Sequence, residues 1–140
     1  MSEIFSYQHR VTYSECTLGN HIYYARYLDI LEAARGELFR AAGLNFVDLQ
    51  NQDFIFPVTD VRLKYKAPAR YDDLLRVELW LTQLTRVRLT FACRILNQAQ
   101  VLLVEGETGH VCTGVNEKPR RAPDDIIEKL KAYFQESSAA

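Results

Sequence analysis

Apolar residues recur along this chain at two spacings. Between Tyr24 and Ala42 they return every three or four positions, at Tyr24, Tyr27, Leu28, Leu31, Ala34, Leu38, Ala41 and Ala42, the period of one helical face. Gly43 supplies a stop signal and Asn20 an N-cap for this long helix. Elsewhere the apolar residues alternate with polar ones, as on a pleated strand. From about Ile4 to Tyr13 the pattern predicts one strand. After a loop, "VTDVRLKYKAP" sets Val61, Leu63, Tyr65 and Ala67 against Asp60, Arg62, Lys64 and Lys66 and ends at a proline, predicting a half-buried strand. Two more follow, carrying Val77, Leu79 and Leu81, then Val87, Leu89, Phe91, Cys93 and Ile95, and a further one runs from about Val101 to Val115. "NQAQ" is a tight connection between the last two. Pro123, with Asp124 and Asp125 behind it, opens a short C-terminal helix. The tail "SSAA" reads as frayed.

One strand, one long helix and four antiparallel strands make an α+β chain. A sheet with one apolar face must bury it, and only the long helix is large enough to do so. The expected fold is a curved antiparallel sheet of about five strands wrapped around one central helix, in a single domain spanning 1–140 with no linker or internal repeat.

Composition narrows the function. The chain has 140 residues, 48% of them hydrophobic, enough for one core. Seventeen Lys and Arg against 18 Asp and Glu leave a formal net charge of -1, so no global field favours nucleic acid or an acidic membrane, and any anion site must be local. Cys16, Cys93 and Cys112 are too few and too scattered for a disulfide framework or a zinc cluster. With no signal sequence and no long apolar run, the expected setting is cytoplasmic.

Candidate chemistry gathers in "SECTLGNHIYYARYLDILEAARGE". Arg35 comes seven residues after Leu28, about 20° away on an ideal helix, which puts a charge on the core stripe with Glu32 three residues before it. Either the two form a structural pair, or Arg35 supports an anion beneath a pocket. The loop "ECTLGNH" delivers the chain to the helix N-terminus, whose free N–H groups favour negative charge. Gly19 allows close approach there, and His21 is a candidate general base.

"VTYSECTLGNHIYYARYLDILEAAR", with "VRLKYKAPARYDDLLRVEL" and "EGETGHVC", resembles the hotdog-fold acyl-CoA thioesterases, the group that includes 4-hydroxybenzoyl-CoA thioesterase. The likeness runs from about Tyr7 to Arg121. It implies homodimers or tetramers whose helices lie side by side beneath a continuous sheet, with sites at the subunit boundary. It also implies a loop aspartate, and here Thr17 stands in its place. A threonine hydroxyl can orient water but does not readily take its proton. Glu15, the nearest acid and two positions away, is assigned a structural or capping role. The enediyne-biosynthesis thioesterases resemble this chain in lacking the loop acid. By that likeness Thr17 positions water or the thioester oxygen, N–H groups around Tyr23 and Tyr24 stabilise the oxyanion, and Arg35 supports the charge.

The resemblance therefore implies an acyl-CoA or acyl-carrier-protein thioester hydrolase. Coenzyme A or phosphopantetheine enters only as part of the substrate, with no metal and no other cofactor. Candidate catalytic residues are Thr17, Asn20, His21, Tyr24, Glu32 and Arg35. Gly19, Tyr23, Tyr27, Lys66, Lys118 and Arg120 are candidates for substrate binding, with "KPRR" foremost among the basic residues for phosphate contact. A non-catalytic acyl-thioester binder and a hotdog dehydratase or hydratase are the alternatives.

Overall fold

The computed structural model describes residues 3–136; the "SSAA" tail lies outside them. In chain order the elements are β1 (Phe5–Arg10), a 3-10 turn (Tyr13–Glu15), β2 (Cys16–Thr17), β3 (His21–Ile22), α1 (Arg26–Ala41), α2 (Phe46–Asn51), β4 (Val58–Tyr65), β5 (Leu74–Leu84), β6 (Arg88–Leu96), β7 (Leu102–Val111), α3 (Asp124–Leu130) and a second 3-10 turn (Lys131–Tyr133). Five strands form one sheet in the order β1-β5-β6-β7-β4, every pair antiparallel. Register shifts at Val58/Asp60, Leu81/Gln83 and Ile95/Leu96 mark bulges, which bend the strands that carry them.

The inner face is built by the alternation. Leu75, Val77, Leu79 and Leu81 on β5 and Leu89, Phe91, Cys93 and Ile95 on β6 are all buried. They meet Tyr27, Ile30, Leu31, Ala34, Leu38 and Phe39 of α1. Burying each such side chain contributes about 1.5–3 kcal/mol, so this helix-on-sheet layer is the main source of stability. α3 closes one side. Its Ile126 and Leu130 are buried, Tyr133 just beyond packs edge-on against Phe5, and Gln135 donates its N–H to the Leu81 carbonyl.

Four local expectations are corrected. Asn20 is not the cap of α1: it sits at φ 58° in the tight turn joining β2 to β3, and the helix begins after Ala25 with no side-chain cap. The small hairpin takes up the residues between Thr17 and the helix, so the cap position falls five residues later. The core stripe is rotated toward Ile30 and Phe39, leaving Tyr24 60% and Leu28 39% exposed. Arg35, which shares the direction of Leu28, therefore lies on the flank of the helix. The loop before β4 contains α2, capped by the Asn45 side chain, which accepts from the N–H groups of Val47 (2.8 Å) and Asp48 (3.3 Å). Its six residues are too short to display a helical period. Finally, β4 is largely exposed on both faces, with Val61 44% and Tyr65 49% open to solvent, because it is the edge strand of the sheet.

Candidate active site

The β2–β3 hairpin stands at the entrance to α1 and is held from both sides. The Ile22 N–H bonds to the Ala69 carbonyl, the Arg70 guanidinium reaches the carbonyls of Gly19 (3.3 Å) and Asn20 (3.4 Å), and the Asn20 side chain accepts from the Tyr71 N–H. Asn20 and Arg70 thus shape the loop. Below the hairpin, Glu15 accepts from the Thr12 N–H (2.8 Å) and hydroxyl (3.0 Å) and meets His9 Nε2 at 2.8 Å. Burial pushes the Glu15 carboxyl up, but the bonds from Thr12 and His9 outweigh it and hold the group below its ordinary value. Glu15 is a structural acid, as its position suggested.

Within the hairpin Thr17 pairs directly with His21. Side chains of directly opposed residues project on the same face with Cβ atoms about 5 Å apart, so a hydroxyl and an imidazole stand together at the head of the helix. His21 Nδ1 lies 3.4 Å from the Ile22 carbonyl. A carbonyl can only accept, so Nδ1 carries the proton and Nε2 is left with a free lone pair. Gly19 has φ 87°, and a Cβ there would come within 3.3 Å of the His21 ring. Gly19→Ala should therefore displace the imidazole and strain the turn, lowering kcat/KM by about tenfold while costing about 1 kcal/mol of stability. Steady-state rates and urea unfolding on one preparation would measure both.

A cleft of about 550 Å³ opens against this pair, lined by Thr17, His21, Ile22, Tyr23, Tyr24, Tyr27, Tyr65, Lys66, Ala67 and Pro68. Six of the twelve candidates, Thr17, His21, Tyr23, Tyr24, Tyr27 and Lys66, share it. The Tyr23 N–H is already committed to the Glu15 carbonyl at 3.0 Å, which removes it as an oxyanion donor. The Tyr24 N–H has no acceptor among the described residues and faces no such competition. Tyr27 is buried and its hydroxyl accepts from the Ala69 N–H (3.1 Å), so it fixes the cleft wall. Lys66 projects from the end of β4 with its ammonium 3.6 Å from Glu105.

The remaining candidates lie elsewhere. Glu32 and Arg35 line a separate cavity. Arg35 is nine residues beyond Arg26, about 14 Å along the helix axis, too far to touch an oxyanion held by Tyr24 of the same chain. The Glu32–Arg35 pair, one of the two alternatives the sequence left open, does not form as a contact: Glu32 acts on the guanidinium only through space. Lys118 lies in a turn, its N–H bonded to the Asn116 side chain, and Arg120 is tied to Asp53 at 2.7 Å and packed over the Phe54 ring. Neither lines the cleft. His110 is the functional-looking residue that sequence reasoning passed over. It is 4% exposed on β7, with Nδ1 bonded to the Phe56 carbonyl (3.1 Å) and Nε2 to the Thr108 hydroxyl (2.9 Å). As one histidine in an alternating strand, it gave no periodic signal.

A bent five-stranded antiparallel sheet over one central helix is the hotdog arrangement. The chain belongs to the thioesterase-like superfamily, which it matches over residues 11–130. It is 33% identical over 129 residues to the acyl-CoA thioester hydrolase YbgC of Escherichia coli, covering 91% of this chain and 96% of that one. A hypothetical protein of Thermus thermophilus superposes with a TM-score of 0.87 at 30% identity, covering 96% of this chain and all of the other. The dynemicin thioesterase superposes equally well, with a TM-score of 0.87 at 19% identity over 95% of this chain and 99% of that one, a likeness of fold.

Proposed function

We propose that this protein hydrolyses acyl-CoA thioesters with His21 as general base and Thr17 as the group that positions water. The observation that carries this reading is the direct Thr17–His21 pairing at the mouth of the cleft, beside the unpaired Tyr24 N–H. A thioester carbonyl placed at that N–H is polarised by a donor already fixed before the reaction. Nε2 of His21 takes a proton from water as the oxygen bonds to the carbonyl carbon. The tetrahedral intermediate collapses with cleavage of the C–S bond, and the imidazolium returns the proton to the departing thiolate. The products are a carboxylic acid and a free thiol. Lys66 supplies the positive charge at the cleft mouth for a coenzyme A phosphate.

The edge strand supports a homodimer. β4 ends the sheet with Val58, Val61 and Tyr65 exposed, and pairing of two such edges would continue the sheet and cover these residues. The three free thiols support a reducing, cytoplasmic setting; no helix among the described residues is long and apolar enough to cross a membrane.

The test is thiol release from a panel of acyl-CoAs. Wild type should turn over at least one of them, and Thr17→Val should lower kcat by about tenfold with little change in KM. Tight binding of acyl-CoA with no thiol release would identify a carrier of thioesters instead, and hydration of an enoyl-CoA without thiol release would identify a hydratase.

A further inference from the structure

Glu15 stands between the sheet and the head of α1. On one side both oxygens of its carboxylate meet His9 Nε2, at 2.8 and 2.9 Å, and His9 is held in the sheet opposite Leu75 by the pairing of β1 with β5. The carboxylate also accepts from the Thr12 N–H and hydroxyl, closing a capping box around the turn Tyr13–Glu15. On the other side the Glu15 carbonyl accepts from the Tyr23 N–H at 3.0 Å. The next peptide unit, joining Tyr23 to Tyr24, is fixed by its own carbonyl, which accepts from the Arg26 N–H at 2.8 Å. A trans peptide points its N–H opposite to its C=O, so a Tyr23 carbonyl directed along α1 turns the Tyr24 N–H off the helix end. Thr17 follows Glu15 by two residues, and His21 precedes Tyr23 by two. Each group assigned to the chemistry therefore hangs within two residues of a bond that Glu15 makes. Glu15 itself stays outside: it does not line the cleft, and its oxygens are taken by Thr12 and His9.

We propose that Glu15 is a positioning residue for thioester hydrolysis: its side chain fixes the turn from which both the Thr17–His21 hairpin and the Tyr24 N–H take their orientation. The proposal rests on the hydrolase reading above. What such a brace requires is an acceptor of the right reach, not a proton acceptor. Glutamine has the length of glutamate and keeps an oxygen for the Thr12 N–H, whereas it cannot act as a base. Positioning and acid–base chemistry therefore predict opposite outcomes for Glu15→Gln.

Thiol release from acyl-CoA and amide hydrogen exchange of the free protein, measured on wild type, Glu15→Ala and Glu15→Gln, provide the test. Glu15→Ala should lower kcat by about tenfold with KM nearly unchanged, because a misaimed donor and a misplaced base are missed in the transition state. Glu15→Gln should return kcat to within about threefold of wild type. In Glu15→Ala the Tyr23 amide should exchange about tenfold faster while amides in the middle of α1 keep their protection, which shows that the variant is folded. Glu15→Gln should restore the Tyr23 protection. His9→Ala cuts the brace at the sheet and leaves the capping box in place; it should lower kcat by about threefold and loosen the Tyr23 amide, a check that stands even if Glu15→Ala does not fold. Wild-type kcat in both alanine variants, or Tyr23 protection unchanged in both, overturns the proposal. A fall in kcat that Glu15→Gln fails to repair also overturns it, since the charge would then be what the reaction uses. Absence of thiol release by wild type from any acyl-CoA defeats the hydrolase reading and this role with it, whereas turnover that ignores Glu15 and His9 defeats this role alone.

Discussion

His21→Ala should lower kcat/KM for the best acyl-CoA by about 10²–10⁴-fold, the usual cost of losing a positioned general base. The imidazole is held by the hairpin: paired with Thr17 across two strands, it lies close enough to Gly19 for a Cβ there to touch its ring, and its Nδ1–H is turned toward the Ile22 carbonyl. Alanine keeps the backbone pairing and removes only the base. His21→Gln, which can hydrogen-bond but cannot act as a base, should be as slow as alanine. A variant within threefold of wild type would remove His21 from the chemistry. The fall should appear in kcat, because the lost interaction belongs to the transition state.

Acid should weaken the fold through His110. Burial pushes its pKa down to about 4 from an ordinary 6.5, helped by the positive charge of Arg35 on α1 and opposed by the bond to the Phe56 carbonyl and by Asp60 on β4. The unfolded chain takes up this proton where the native one refuses it, so stability falls as pH drops from about 6.5 to about 4. At 1.36 kcal/mol per pH unit the full loss is about 3 kcal/mol, and the residue is too buried for solvent to screen it. Glu15 acts lower: its contribution is present above its ordinary value of 4.5 and is lost below it. The slope between pH 6.5 and 4.5 therefore belongs to His110. Urea midpoints across that range should decline in wild type and stay flat in His110→Phe, which keeps an aromatic ring against Phe91 while giving up two hydrogen bonds at a cost of about 1–3 kcal/mol. An unchanged slope in the variant would place the acid sensitivity elsewhere.

The layers of this fold were legible because burial writes itself as periodicity. Burial alternates along Leu75 to Leu81, and along Leu89 to Ile95 apart from buried Ala92, and α1 repeats at three and four. What periodicity cannot convey is which of two adjacent faces wins. Leu28 and Ile30 are both apolar, yet the sheet chose Ile30, and that rotation carried Arg35 from the core stripe to the helix flank. β4 alternates as cleanly as β5 and is still exposed on both sides, because its place at the edge is decided by the order β1-β5-β6-β7-β4. The site was half legible for a similar reason. The segment from Thr17 to Tyr24 is contiguous, so its residues had to lie together. The hairpin that sets Thr17 opposite His21 is only two residues deep on each side and left no pattern. His110 meets Phe56 and Arg35 only through long-range pairing, to which a single sequence is blind.

Gly106 gives the arrangement one further property. A Cβ there would lie 1.9 Å from the Arg62 carbonyl oxygen, so β4 and β7 approach each other more closely than any other residue at that position would permit. The same strand ends in both cavities, Val58 lining the one beside Arg35 and Tyr65 the cleft, with Lys66 just beyond. One hydrogen atom in place of a methyl group thus sets the seating of a beam whose two ends form the doorposts of separate chambers. Lifting that beam would widen both openings together.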